Sequence, residues 1–328
     1  MISLMKLILE ADGIPKGIIL AGGAGVGKTY AVKKLLGNLD EKTGIFTPKG
    51  SNLKFKYMNP DDIVEKEGTS LGAAMGKFKE IFQNTQNEKE NIIWDTTAAN
   101  IKNTMAEMSG YDKFMVMVYT HPIISLFQNA KRERTLPMDA AIKTWDSVYS
   151  NIEEYKKLFG NNFVLIKNII PGYEKQVQEF DKAVAGGKDS LKQYLENLIS
   201  DNAEQFKSSF SKEFKFENKE IEQAFNNALP ETSFDEKKDS GILKDVKKEF
   251  QKDYLKKNED PGSELLEKRV QAKRKSKEKR EQNYNEDLEG IVNKLTSPQF
   301  KEITEPNSEE DIKSKFNSFL KWVNYPNF

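Results

Sequence analysis

Along roughly the first 175 residues, short apolar runs alternate with helix-spaced segments. Residues 17–20 (GIIL) run into a glycine-rich turn, and 30–39 follows with helical spacing at Val32, Leu35, Leu36 and Leu39. Residues 55–58 form a brief strand candidate that ends at NPDD. Helical material around 71–82 then precedes NIIWD, and a polar helix over 101–109 precedes FMVMVYT. One more helix leads to NFVLIKNI. Strands buried on both faces need continuous apolar sequence, and parallel pairing needs a crossover between successive strands. The pattern therefore predicts an α/β fold, a doubly wound parallel five-stranded sheet with helices on both faces.

Beyond Pro171 and Gly172 the pattern changes to polar helices with no convincing strand, punctuated by Gly186, Gly187, Pro230, EDPGS and TSPQF. Over 265–295 apolar residues sit at Val270 and at Leu288, Ile291, Val292 and Leu295, but Ala272 is the only one between Gln271 and Asn283. Such a middle is a solvated helix, a partner surface or disordered chain. The expected division is a core over 1–172 and a mostly α-helical, charged C-terminal region over 173–328.

Composition adds constraints. Hydrophobic residues make up 37% and charged residues 31% of 328, lean for one core of that length, so part of the chain is expected to be elongated or exposed. Lys+Arg and Asp+Glu both total 51, which removes any global bias toward nucleic acid or anionic membrane. There is no cysteine and a single histidine, His121, so disulfides, thiolate metal sites and multi-imidazole zinc sites are excluded. No apolar run approaches the roughly 20 residues that span a bilayer, and the opening has no small-residue cleavage site. A soluble, cytoplasmic protein with no membrane partner is the expectation.

The chemistry concentrates in AGGAGVGKT. Gly22, Gly27, Lys28 and Thr29 fit G-x4-G-K-[S/T], with Gly23 and Gly25 adding freedom between them. Several backbone N–H groups must turn inward on phosphate oxygens, through angles that a Cβ resists. Lys28 then reaches the β and γ phosphates, Thr29 places its hydroxyl on Mg²⁺, and the next helix turns its positive end to the anion. The strand before and the amphipathic helix after are what this mechanism requires. The nucleotide contacts expected are Gly22, Gly23, Ala24, Gly25, Val26, Gly27, Lys28, Thr29 and Tyr30, with ATP and Mg²⁺ as cofactors. Motors, switches and kinases share this loop, so the loop alone does not name the reaction.

Together AGGAGVGKT, YMNPDDIVEK, NIIWDTTAAN and VYTHPIISLFQNAKRERTLP resemble the zeta-toxin group of P-loop kinases, relatives of polynucleotide kinase, over roughly residues 14 to 170. The resemblance implies a kinase core and, as acceptor, a hydroxyl of a nucleotide, nucleotide sugar or polynucleotide. It puts Asp61 on the acidic base that takes or orients the acceptor proton, with Asp62 as the alternative. The residues themselves also read as an Asn-Pro-Asp turn capping a helix near Ile63, and both uses are compatible. The resemblance makes Asp95, at a strand end, a ligand of the Mg²⁺ shell. It places Arg132 and Arg134 among lid arginines that neutralise the transferring group, Arg134 preferred for its closeness to Pro137; the competing reading is a solvated helix end. The chain has Asp95 where the family often has Glu and Ala98 where Gly is usual, which leaves the local substrate contacts open. Thr96 and Thr97 line the pocket or satisfy the turn. His121 before Pro122 is not expected to be catalytic, and Trp94, Trp145 and Phe127 are expected in the core.

The run EKRVQAKRKSKEKR over 267–280 holds eight basic and two acidic residues. Such a cluster suits a nucleic-acid partner through counterion release, although acidic flanks and sparse aromatics favour a solvated helix. A nucleic-acid-dependent ATPase and an ATP-gated binding or assembly protein are the alternatives to a kinase.

Overall fold

The computed structural model describes residues 14–67, 71–132, 135–206, 214–257, 262–300 and 308–324. Seven strands form one sheet: β1 (Lys16–Ala21), β2 (Gly37–Asp40), β3 (Ile45–Pro48), β4 (Phe55–Met58), β5 (Ile92–Thr96), β6 (Asp112–Tyr119) and β7 (Phe163–Lys167), in the order β2-β3-β4-β5-β1-β6-β7. β4, β5, β1, β6 and β7 run parallel and correspond to the five apolar runs of the sequence. β2 and β3 extend the sheet antiparallel beyond β4, so it is mixed and has seven strands where sequence reading expects five.

The added hairpin also corrects the first helix. α1 (Lys28–Ala31) continues through a π turn over Val32–Leu36, and the chain is then extended from Gly37, so Leu39 lies in a strand opposite Phe46. A Cβ at Gly37 would lie 2.3 Å from the Thr47 carbonyl oxygen, so glycine lets the two backbones approach. The Asp40 carboxylate accepts from Lys42 N and Thr43 Oγ1, which folds the tight turn. Four-residue strands bounded by Gly and Pro carry too little alternation to stand out in sequence.

Ile18, Ile19, Leu20 and Ala21 are all fully buried, which requires cover on both faces of β1. Ile18 is in register with Phe114 and Ile93, and Ile19 with Met115 and Trp94. The Phe114 side is covered by the C-terminal helix, Glu309–Asn324, whose Phe319 and Trp322 stack on Phe114 at 5.3 and 5.1 Å between ring centroids. The Trp94 side is covered by α3 (Leu71–Asn87), with Phe78 and Phe82 on the indole; α2 (Pro60–Glu67) precedes it.

The remaining helices are α4 (Ile101–Glu107), α5 (Pro122–Ala130), α6 (Met138–Tyr149), α7 (Ile152–Phe159), α8 (Glu174–Ala185), α9 (Lys188–Asp201), α10 (Lys219–Ala228), α11 (Glu236–Lys257), α12 (Gly262–Thr296) and α13, the C-terminal helix. The main core does not stop at residue 172. Phe180, Leu191 and Leu195 join it, as do Leu288 and Ile291. A separate small core gathers Ile221, Phe225, Ile242, Val246, Phe250, Leu266 and Val270. Helix α12, about 52 Å long for 35 residues, places Leu266 and Val270 in the small core and Leu288 and Ile291 in the large one. Its polar middle is thus a helix between two cores. Within the basic run, Arg269 pairs with Asp253, Lys273 with Glu249, Arg274 with the buried Asp239, and Lys268 with Glu264, so at least half of the eight cations have partners in the helical region.

Trp322 anchors the returning helix. Its ring packs on Phe114, its carbonyl accepts from Lys16 Nζ at 2.6 Å, and that ammonium lies 4.7 Å above the ring centroid. Trp322→Ala should cost about 3–5 kcal/mol in denaturant unfolding, whereas Lys321→Ala on the exposed side should stay within about 0.5 kcal/mol. Equal effects would mean that this helix does not close the sheet.

Candidate active site

β1 ends at Ala21 and the chain turns through Gly22 (φ 154°), Gly25 (φ 76°) and Gly27 (φ 85°) before α1 begins at Lys28. At Gly25 a Cβ would sit 2.3 Å from the Ser125 carbonyl oxygen and 2.8 Å from the Asn129 amide nitrogen; at Gly27 it would sit 2.3 Å from Asn168 Nδ2. Positive φ and lack of room therefore both demand glycine. The loop is also tied from outside. Ser125 Oγ donates to the Ala24 carbonyl at 2.6 Å, and Asn168 Nδ2 donates to the Val26 carbonyl at 2.8 Å. Asn168 follows β7 and Ser125 lies in α5, so the two elements on one side of β1 shape the loop.

A cavity of about 590 Å³ opens over this loop. Residues 23–29 line it, as do Asp61, Asp95 and Arg132, so seven loop residues and three of the polar candidates converge on one space. Gly22 contributes its carbonyl, which accepts from Lys28 Nζ at 2.7 Å. Tyr30 is 57% exposed on α1 and does not line the cavity. Arg134 lies outside the described residues. A second cavity of the same volume lies across α5 between Phe127, Tyr173 and Tyr194 and shares no residue with the loop. The glycine loop and the polar candidates around it, not volume, distinguish the first.

Lys28 is held by its own loop and by Asp95. Its ammonium also donates to the Gly23 carbonyl at 3.3 Å and lies 3.4 Å from Asp95 Oδ1. Asp95 is almost fully buried at the C-terminal end of β5, and its Oδ2 accepts the phenol O–H of Tyr57. Burial, reinforced by the charges of Asp95 and Asp62, pushes the Tyr57 phenol far above its ordinary pKa, so it stays a donor. Tyr57 escaped sequence reading because an interior strand tyrosine carries no motif.

Asn59 Oδ1 accepts from the Asp61 amide at 3.0 Å. Asn59 thus performs the cap, and Asp61 stands in the first turn of α2 facing Arg132, with 3.8 Å between Oδ2 and Nη2. Both partners are about 38% exposed, so this pair contributes little to stability and is open to exchange with a ligand. Arg132 N donates to Asn129 O at 3.1 Å, and the Asn129 side chain clasps the Leu136 backbone through N and O.

Thr96 and Thr97 both line the cavity, and Thr96 Oγ1 also accepts from Ala98 N at 3.3 Å. Ala98 has φ 54°, a left-handed conformation that favours glycine, and its carbonyl is held by Tyr155 O–H at 3.0 Å. Alanine holds that conformation under strain. His121 lies outside the cavity, with Nε2 at 3.1 Å from Asp181 and its ring edge-on to Phe180. Trp94, Trp145 and Phe127 are buried as expected, and Trp94 also forms part of the cavity wall.

Among the described residues no group of three or more His, Cys, Asp or Glu could hold a metal ion alone. The Thr29 hydroxyl and the Asp95 carboxylate are hard oxygen donors on one cavity wall, which is the partial protein shell that magnesium takes when phosphates and water supply the rest. The residues present fit that ion.

A family model described as Zeta toxin matches residues 5–169, half of the chain. The chain belongs to the Zeta toxin family. Among solved structures it is similar to the crystal structure of AvrRxo1-ORF1:-ORF2 with ATP (15% identity, TM-score 0.36), to the native AvrRxo1-ORF1:-ORF2 complex (16%, 0.37), and to AvrRxo1-ORF1:AvrRxo1-ORF2 with sulphate ions (15%, 0.35). Each match covers 49% of this chain and 57% of the other, so the chain spans little more than half the length of those it resembles. No curated protein matches it. The Zeta toxin match ends at the close of the parallel sheet, and the helices from Glu174 onward lie beyond it. Among the described residues no helix is long and apolar enough to cross a membrane.

The wedge at Gly25 has a direct consequence. Gly25→Ala should weaken ATP binding at least about 100-fold in calorimetry, because both the φ and the Ser125 contact oppose the side chain. Gly76→Ala, in open space on α3, should leave binding unchanged.

Proposed function

We propose that the chain is an ATP-dependent kinase that transfers the γ-phosphoryl group to a hydroxyl of a nucleotide, nucleotide sugar or polynucleotide. The observation that carries this reading is that the phosphate loop, a carboxylate and an arginine share one cavity large enough for a second substrate beside the triphosphate: residues 23–29, Asp61 and Arg132 around about 590 Å³. A hydrolase needs only water at the γ-phosphate, whereas a kinase needs room for an alcohol and a group to direct it.

In this mechanism the inward amides of the loop hold the phosphate chain, and Lys28 exchanges its carbonyl and Asp95 contacts for β and γ oxygens. Thr29 and Asp95 would hold magnesium, which when bound neutralises charge on the phosphate oxygens. Asp61 accepts the hydroxyl proton or orients the hydroxyl for in-line attack; Asp62, in the same helical turn, is the alternative. Arg132, already facing Asp61, swings its charge onto the transferring group, a role that Arg134 is proposed to share. The family and the order of its motifs supply the acceptor classes.

A nucleic-acid-driven ATPase gripping its track through residues 267–280 is less favoured, because at least half of that run's cations already face acids within the helical region. An ATP-gated assembly protein would bind nucleotide without rapid transfer to any acceptor.

Incubation with γ-labelled ATP and pooled acceptors distinguishes these readings: label in an acceptor supports the kinase, and free phosphate rising only with DNA or RNA rejects it. Lys28→Ala should abolish ATP use. Asp61→Asn should keep ATP affinity within about twofold and lower transfer by about 10²–10⁴-fold. Unchanged transfer in Asp61→Asn would move the base to Asp62 or remove it from the mechanism.

A further inference from the structure

We infer that Tyr57 is a positioning residue, whose phenol anchors the Asp95 carboxylate and so orients that oxygen donor toward a magnesium-bound triphosphate. The inference rests on the nucleotide-binding reading above.

Backbone register brings the groups together. Tyr57 on β4 is paired with Ile93 on β5, so it projects from the same face of the sheet as Asp95, two residues further along. Leu20 on β1 is paired with Asp95, and the phosphate loop that follows β1 brings Lys28 to the other oxygen of that carboxylate. The phenol donates to Asp95 Oδ2. The charged groups that act on it are Asp95 and Asp62.

The phenol carries the hydrogen and donates it to Asp95 Oδ2. That bond fixes Asp95 with Oδ2 on Tyr57 and Oδ1 on the side of Lys28, 3.4 Å away. A carboxylate held only by Lys28 would lose its anchor once that lysine moved to phosphate. Tyr57 supplies an anchor that nucleotide does not compete for.

The test separates metal dependence from nucleotide binding. ATP is titrated calorimetrically into wild type, Tyr57→Phe and Tyr57→Leu, first in excess chelator and then over a magnesium series. The Phe variant keeps the partly buried ring, and thermal unfolding without ligand reports whether each variant is folded; Leu, also lacking a donor, serves if Phe does not fold. The expected result is chelator-phase affinity within about twofold of wild type, with about tenfold more magnesium needed for half-maximal tightening, the size expected for one hydrogen bond to a charged group. In an Asp95→Asn background the Tyr57→Phe change should add little, since the phenol then lacks its charged acceptor. A folded Tyr57→Phe with the magnesium dependence of wild type overturns the assignment while the nucleotide reading stands. A wild type that binds no ATP overturns both.

Discussion

The backbone of the phosphate loop is held in shape by contacts too close for any side chain, and the rest of the site depends on that fit. Gly25 is pressed against the Ser125 carbonyl and Gly27 against the Asn168 amide, while Ser125 and Asn168 hydrogen-bond to the carbonyls of Ala24 and Val26. Two carbonyls are thus bound on the outside, which favours the reversed peptide orientation that a phosphate cradle needs. The strand order explains why α5 and the turn after β7 do this. They follow β6 and β7, which lie beside and next but one to β1, at the end of the sheet where the loop emerges. Ligands of open parallel sheets bind at that edge for the same topological reason.

Around the cradle, charges are balanced within the site. Lys28 leans on two carbonyls of its own loop and on Asp95, Tyr57 donates to the other oxygen of Asp95, and Asp61 stands opposite Arg132. The buried members are paired, as a low dielectric demands. The half-exposed pair, Asp61 and Arg132, is the one a second substrate could separate at little cost.

The C-terminal half divides between two tasks. Helix α13 returns across more than two hundred residues of sequence to cover the Phe114 side of the sheet, and α8, α9 and the end of α12 extend the main core. The first part of α12 belongs instead to a small helical core with α10 and α11. The midsection between Val270 and Leu288 is polar because it crosses from one core to the other, and Lys273 and Arg274 within it meet acids of α11.

By itself the sequence determined the five parallel strands and the glycine loop, because these rest on local signals: continuous apolar runs and the spacing of Gly22, Gly27, Lys28 and Thr29. Asp61, Asp95 and Arg132 were expected from the family resemblance. The sequence misread residues 30–39 as one helix, since Leu39 fits helical and extended spacing alike and only the Gly37 contact with Thr47 decides between them. It was silent on Tyr57, Ser125 and Asn168, whose importance lies in what they touch. Tertiary structure decided those contacts, the cap at Asn59 that turns Asp61 outward, the left-handed Ala98, and the cover supplied by Trp322. The physical reason is that a hydrogen bond between strands or a ring stacked across a sheet depends on register and packing, and neither leaves a periodic trace along the chain.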